Sequence, residues 1–222
     1  MLELEGKVAI VTGAGRLRGI GRAAAVSLAR LGANVVVTGT GRDPSNYPQD
    51  EKEIGWKDIY STAEQITLEG AKALPLVSNV VSLQSVSEMI NQTLSEFGRI
   101  DILVNNAAAA RGEDRVPIVD LPEDVFRKVN DIKVFGTYLC TKAVVKVLKE
   151  QDQGGKIVNI SSIAGRHRSL VSGVHYVSSK AGLIGLTKQL AFEVAEYNIN
   201  VNALCPSQTL TDMLQKSMTR EE

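Results

Sequence analysis

Tyr176 and Lys180 stand four residues apart in "YVSSK", and residues so spaced on a helix project from one face. A phenol with an ordinary pKa of about 10 is a poor base near neutrality, but a neighbouring ammonium favours the phenolate. The pair could therefore pass a proton to or from an oxygen as a general acid/base. Fourteen residues upstream of the tyrosine, Ser162 closes "NISS", and its hydroxyl could hold the same oxygen. Moving hydride between a carbinol carbon and a nicotinamide requires such a proton transfer. The plain alternative is a Tyr–Lys pair lying on a helix surface.

A second cluster lies near the start. "VTGAGRLRGIGRAA" (residues 11–24) follows the apolar run "KVAIV" and opens a helical pattern. Glycines at a strand-to-helix turn let backbone N–H groups and the positive helix end hold a pyrophosphate. Gly13 would give the tight turn, Gly19 the close approach of backbone to phosphate, and Gly21 the packing of helix on sheet. GxGxxG would need glycine at position 18, where Arg18 stands, so a turn that merely needs positive φ is the competing reading.

These residues need a frame. Apolar, β-branched runs at 7–12, 34–39, 71–77, 100–106, 156–162 and 199–205 read as strands buried on both faces. Helical patterns fill 19–31, 57–69, 83–97, 122–150 and 176–196 between them. Strand–helix alternation predicts an α/β chain: one doubly wound (Rossmann) parallel sheet with helices on both faces, residues 1–222 forming a single domain. Ligands bind beyond the carboxyl ends of such strands. That edge would gather Gly13 to Gly21, Asn105, Asn106, Ser161, Ser162 and the segment from Pro206. The polar stretch "GTGRDPSNYPQDEKEIGW" (39–56) reads as a long surface loop.

The composition excludes several classes. The 25 basic and 25 acidic residues cancel, leaving no electrostatic footprint for nucleic acid or an anionic membrane. No apolar run approaches a membrane span, and the first residues are not patterned as a signal peptide. Cys140 and Cys205, without CxxC spacing, read as buried thiols in a reducing, cytoplasmic compartment. His167 and His175 have no partner at ligand spacing, so no metal is expected.

The order of the motifs resembles the short-chain dehydrogenase/reductase family over nearly the whole chain. The glycine turn is similar to TGxxxGxG with two extra residues. "NNAA" (105–108), Asn130 in "VNDIKVFG", "NISS" (159–162), "YVSSK" (176–180) and "NALCPSQTLT" (202–211) follow in family order. The resemblance implies a catalytic set of Asn130, Ser162, Tyr176 and Lys180, with Tyr176 moving the proton and Lys180 lowering its pKa and holding the nicotinamide ribose. Asn130 would join a water relay to Lys180; its alternative is an amide bonded to its own helix. The cofactor would be held by Gly13, Gly15, Arg18, Gly19, Ile20 and Gly21 at the pyrophosphate, by Asn79 and Val80 at the adenine, by Asn106 and Ala107 along the ribose path, and by Pro206 and Thr211 at the carboxamide.

Gly39 falls where an NAD-selective aspartate would stand, while Arg18 matches the arginine of NADP-preferring members and Arg42 could add a contact. NADP(H) is therefore expected, with NAD(H) held by Asp43 as the alternative. The substrate would be a small carbonyl or alcohol, and the assembly a homo-oligomer, dimer or tetramer. A cofactor-binding sensor or scaffold without turnover is the rival reading. The family usually continues for another helix and strand, so an additional C-terminal segment is expected beyond "MLQKSMTREE".

Overall fold

The computed structural model describes residues 2–109, 116–170 and 172–211. Six strands form one parallel sheet: β1 (Val8–Val11), β2 (Asn34–Gly39), β3 (Ala73–Val77), β4 (Ile102–Asn105), β5 (Gly155–Ile160) and β6 (Ile199–Leu204), in spatial order β3-β2-β1-β4-β5-β6. The order reverses direction between β1 and β4, which opens the crevice where doubly wound sheets take ligands. Register levels the upper ends: Val11 pairs with Val37 and Val104, Asn105 with Asn159, and Ile160 with Leu204.

Successive strand residues face opposite layers, and each layer has its own core. Val35 and Val37 meet α1 (Ile20–Arg30) and α3 (Ile59–Leu68) through Ala25, Ala29 and Ile66. Val36, Leu103, Ile157 and Ile199 meet α4 (Leu83–Phe97) and α6 (Gly136–Gln151) through Met89, Val144 and Leu148, with Leu190 of α7 (Val174–Glu193) alongside. Helix α4 occupies the predicted 83–97. Ser82 caps its start by accepting from the Ser85 N–H, and Gly98 at φ 73° ends it in the left-handed conformation that favours glycine.

Two stretches differ from the sequence reading. The pattern at 122–150 is not one uniform helix: α5 (Glu123–Asn130) passes through a π turn, Asp131–Phe135, into α6. The wider turn shifts the phase of the helix, and Lys133 within it is buried. The polar stretch 39–56 is not simply a surface loop. It contains the short helix α2 (Gln49–Glu53), and Tyr47, Glu51, Trp56 and the following Asp58 are buried.

Candidate active site

The glycine turn sits at the upper end of β1. Gly13 has φ 69°, and a Cβ there would lie 2.7 Å from the Ala107 Cα; at Gly21 a Cβ would lie 2.4 Å from the Asn106 amide nitrogen. Only glycine fits at either position. The Asn106 side chain donates to the carbonyls of Thr12 (3.0 Å) and Gly13 (2.8 Å), and the Asn106 and Ala107 N–H groups donate to the Thr12 hydroxyl. Asn106, expected along the ribose path, thus spends its amide holding the turn's shape. Gly19 is the extended N-cap of α1, where no side chain caps the helix and no acidic residue occupies the first turn. The amides beginning at Ile20 and Gly21 present an uncapped positive helix end suited to phosphate.

The two extra residues in the turn are held from below by the polar stretch. The Leu17 N–H donates to Glu51 Oε1 (2.9 Å), and Arg16 approaches Glu51 Oε2 at 4.0 Å. The Trp56 indole N–H and Arg42 Nη2 both donate to the Gly15 carbonyl, at 2.7 and 2.9 Å, and the Thr62 hydroxyl donates to the Ala14 carbonyl at 2.7 Å. A Cβ on Gly15 would collide with Asp58 Oδ1 at 1.5 Å. Gly15 is therefore buried under the loop, and its glycine identity makes room for Asp58, not for a phosphate.

The same contacts engage the two arginines expected at a 2′-phosphate. Arg42 donates through Nε and Nη2 to Asp58 Oδ1 and through Nη1 to Glu51 Oε2 (2.8 Å), while its guanidinium stacks 4.6 Å from the centre of the Tyr47 ring. Burial works against its charge, but the bonds and fields of Glu51 and Asp58 outweigh that and hold its pKa above the usual value. Arg18 donates to Asp50 through Nε and Nη2, at 3.0 and 2.6 Å. The Arg42 guanidinium is largely taken up by these contacts, whereas Arg18 and Asp50 form a part-exposed pair. Asp43, the alternative ribose ligand, caps the turn at Pro44–Asn46 by accepting from the Ser45 N–H.

Tyr176 lies in the first turn of α7 beside the upper end of β5. Its hydroxyl is hydrogen-bonded to the Ser162 side chain; burial raises the phenol's pKa, and that bond only partly offsets it. Lys180 is buried, and its ammonium donates to the Ile160 carbonyl at 2.6 Å while standing 5.7 Å from the centre of the Tyr176 ring. Burial, then repulsion from Lys133, push the Lys180 pKa well below its usual value, against a smaller opposite effect of Cys205. Lys180 thus stands beside the ring at the position from which it was expected to act on the phenol.

Asn130 is not part of this cluster. Its amide donates to the Phe126 carbonyl of its own helix at 2.9 Å, the alternative reading of that residue. The side chain brought to the tyrosine is Lys133, with Nζ 5.1 Å from the ring centre. Ser161 turns into the sheet, its hydroxyl donating to the Lys180 carbonyl. Beneath lies a buried polar ladder. Asn105 donates to Thr141 and Asn159, Asn159 donates to Thr187, and Thr187 donates to the Leu183 carbonyl, tying β4 and β5 to α6 and α7.

A family model described as short chain dehydrogenase matches residues 7–222. The chain belongs to the short-chain dehydrogenase family. It is 38% identical over 215 residues to a 3-oxoacyl-[acyl-carrier-protein] reductase of Synechocystis sp., covering 97% of this chain and 79% of that protein. It is 33% identical to (-)-trans-carveol dehydrogenase of Rhodococcus erythropolis, covering 99% and 76%. Among solved structures, a short-chain dehydrogenase/reductase of Burkholderia xenovorans superposes with a TM-score of 0.86 at 30% identity, covering 100% and 79%. Carveol dehydrogenase of Mycobacterium avium, in complex with NAD, gives 0.84 at 30% identity, covering 96% and 75%. The relatives are oxidoreductases, and the family binds nicotinamide dinucleotides.

A short-chain dehydrogenase needs a pyrophosphate cradle, and the uncapped α1 end behind Gly13 and Gly19 fits one. On the adenine side, Asn79 is exposed, its Oδ1 accepting from the Val81 N–H, while Val80 is buried against Gly136. The Pro206 carbonyl accepts from the Ile163 N–H, joining the loops after β5 and β6. Thr211 is half-buried in a bend. Residues 110–115, 171 and 212–222 lie outside the described residues. Among those described, no three His, Cys, Asp or Glu side chains form a metal cluster, and no helix is long and apolar enough to cross a membrane.

The sequence reading did not find Lys133, Glu51, Trp56, Asp58 or the Asn159 ladder. Two of these left a signal. The chain's one Trp sits in a stretch otherwise polar, and Lys133 interrupts the apolar pair Ile132 and Val134.

Proposed function

We propose that this short-chain dehydrogenase interconverts a ketone and a secondary alcohol, with Tyr176 as general acid/base and NAD(H) as the preferred nicotinamide. The observation that carries the reading is the Ser162–Tyr176–Lys180 cluster at the strand edge that also bears the uncapped glycine turn. When bound, the nicotinamide supplies or accepts the hydride. The Tyr176 hydroxyl gives or takes the proton at the substrate oxygen, and Ser162 orients that hydroxyl through their shared hydrogen bond. Lys180, held by the Ile160 carbonyl, sets the charge beside the ring. Burial raises the phenol's pKa and the Ser162 bond partly offsets it; in its protonated form the phenol can give a proton to a ketone oxygen.

The NADP(H) preference expected from Arg18 and Arg42 gives way to NAD(H) on the ion pairs. Four of the five side-chain N–H donors of Arg42 are engaged, by Asp58 twice and by Glu51 and Gly15. Taking that guanidinium for a 2′-phosphate would strip two buried carboxylates of their partner, at a cost of about 3–5 kcal/mol. NAD in the Mycobacterium avium carveol dehydrogenase agrees with this choice. The named relatives favour 3-oxoacyl thioesters, cyclic terpenoid alcohols and hydroxysteroids as the first substrates to try. Two free cysteines support a reducing, cytoplasmic setting. Exposed Phe126, Phe135 and Tyr138 support a homo-oligomer of residues 1–222 as one domain.

The test is NADH and NADPH oxidation against ketones of those three classes, with Tyr176→Phe as control. The substitution should cost about 10²–10⁴ in kcat while cofactor affinity holds, and kcat/KM should be higher with NADH. Turnover unchanged in Tyr176→Phe refutes the acid/base assignment. Cofactor binding with no turnover on any ketone favours the sensor reading.

A further inference from the structure

Lys133 is 3% exposed, and its ammonium stands 5.1 Å from the centre of the Tyr176 ring, with the Lys180 ammonium 5.7 Å from that same point. The negative face of an aromatic ring is a place where a buried cation can be accommodated. Two ammonium groups on one ring can lie no more than about 11 Å apart, and like charges at that range in a protein interior repel by the equivalent of about one pH unit. The π turn Asp131–Phe135 packs against α5, α6 and α7. From α7, Tyr176 and Lys180 face Lys133, and His175 of the same helix is buried; Cys205, after β6, acts on Lys180 from beyond. The charged side chains of α5 (Glu123, Asp124, Arg127, Lys128), those of α6 (Lys142, Lys146, Lys149, Glu150) and Asp131 of the turn itself are exposed.

We propose that Lys133 is a positioning residue that acts through Lys180: its charge repels the Lys180 ammonium and so sets the pH range in which Lys180 is charged beside Tyr176. The proposal rests on Tyr176 being the acid/base. It makes Lys180 a switchable cation instead of a permanent one. With Lys180 charged the phenolate is favoured and alcohol oxidation is served; with Lys180 neutral the phenol keeps its proton and ketone reduction is served.

The experiment is a titration of the Lys180 side chain by NMR of carbon-13-labelled lysine in the full chain, the resonance assigned with Lys180→Arg. In Lys133→Met and Lys133→Gln the Lys180 midpoint should rise by about one pH unit. Lys133→Arg, which keeps a permanent charge, should leave it at or below the wild-type value. An unmoved midpoint in both neutral variants overturns the proposal, and so does an equal rise in all three. Should Lys133→Met not fold, the Gln and Arg variants alone decide. Because this readout needs no turnover, it separates failure of the coupling from failure of the proposed reaction. With an active substrate, the alkaline limb of the kcat/KM profile should follow the same order.

Discussion

Replacing Glu51 by Ala tests whether the polar stretch braces the glycine turn. The carboxylate is fully buried, accepts from the Leu17 N–H at 2.9 Å and pairs with Arg42 at 2.8 Å. Its removal strands the Leu17 N–H and leaves Arg42 with Asp58, the Gly15 carbonyl and the Tyr47 ring. Losing one partner of a buried ion pair costs about 3–5 kcal/mol, and the remaining Asp58 contact argues for the lower end, about 3 kcal/mol. For a chain of this size that is a fall in Tm of roughly 6–12 °C. Glu53→Ala is the matched control on the same short helix: Glu53 is exposed and bonds only Gln49, so it should cost under about 0.5 kcal/mol. The assay pairs thermal unfolding with steady-state kinetics. KM for the nicotinamide should rise in Glu51→Ala, with kcat little changed because the bonds lost are those to Leu17 and Arg42, at the glycine turn and its brace. Equal Tm values for the two variants would refute the brace.

Asp101 should make part of the stability acid-sensitive. Burial alone would raise its pKa, but bonds from Arg99, the Val8 N–H and Lys7 outweigh burial and hold it low. A folded pKa below the unfolded one gives stability that is present above about pH 4 and is lost as the pH falls through the folded value; Asp101→Asn should flatten that acid limb of a Tm-against-pH curve. Burial pushes the Cys140 thiol up to about 12, so a thiol reagent at mildly alkaline pH should label Cys205 in the native protein, and Cys140 only after denaturation.

The doubly wound sheet was legible because its signals are local. Asn34–Gly39 and Leu83–Phe97 match their apolar patterns residue for residue. Tyr176 and Lys180 were legible because one helix carries both, and Ser162 because it ends a strand. What escaped depends on contacts between segments far apart in the chain. Asp58 meets Gly15 across more than forty residues, and Trp56 does the same; nothing in either local pattern announces the other. Asn130 fitted a relay from its place in the order of motifs, but a π turn begins at the next residue, and Lys133, three residues on, is the buried side chain. The ion pairs of the two arginines escaped because their charge was read without the carboxylates that follow in Asp50, Glu51 and Asp58.

The interlock of residues 13–19 with 42–62 makes two distant stretches a single heritable part. Grafting the longer turn into a relative without its companion would transplant a hinge with no latch. Grafting both should carry over the donor's grip on dinucleotide intact. Exchange experiments between members of this family should therefore cut the chain before Gly13 and after Thr62, never between them.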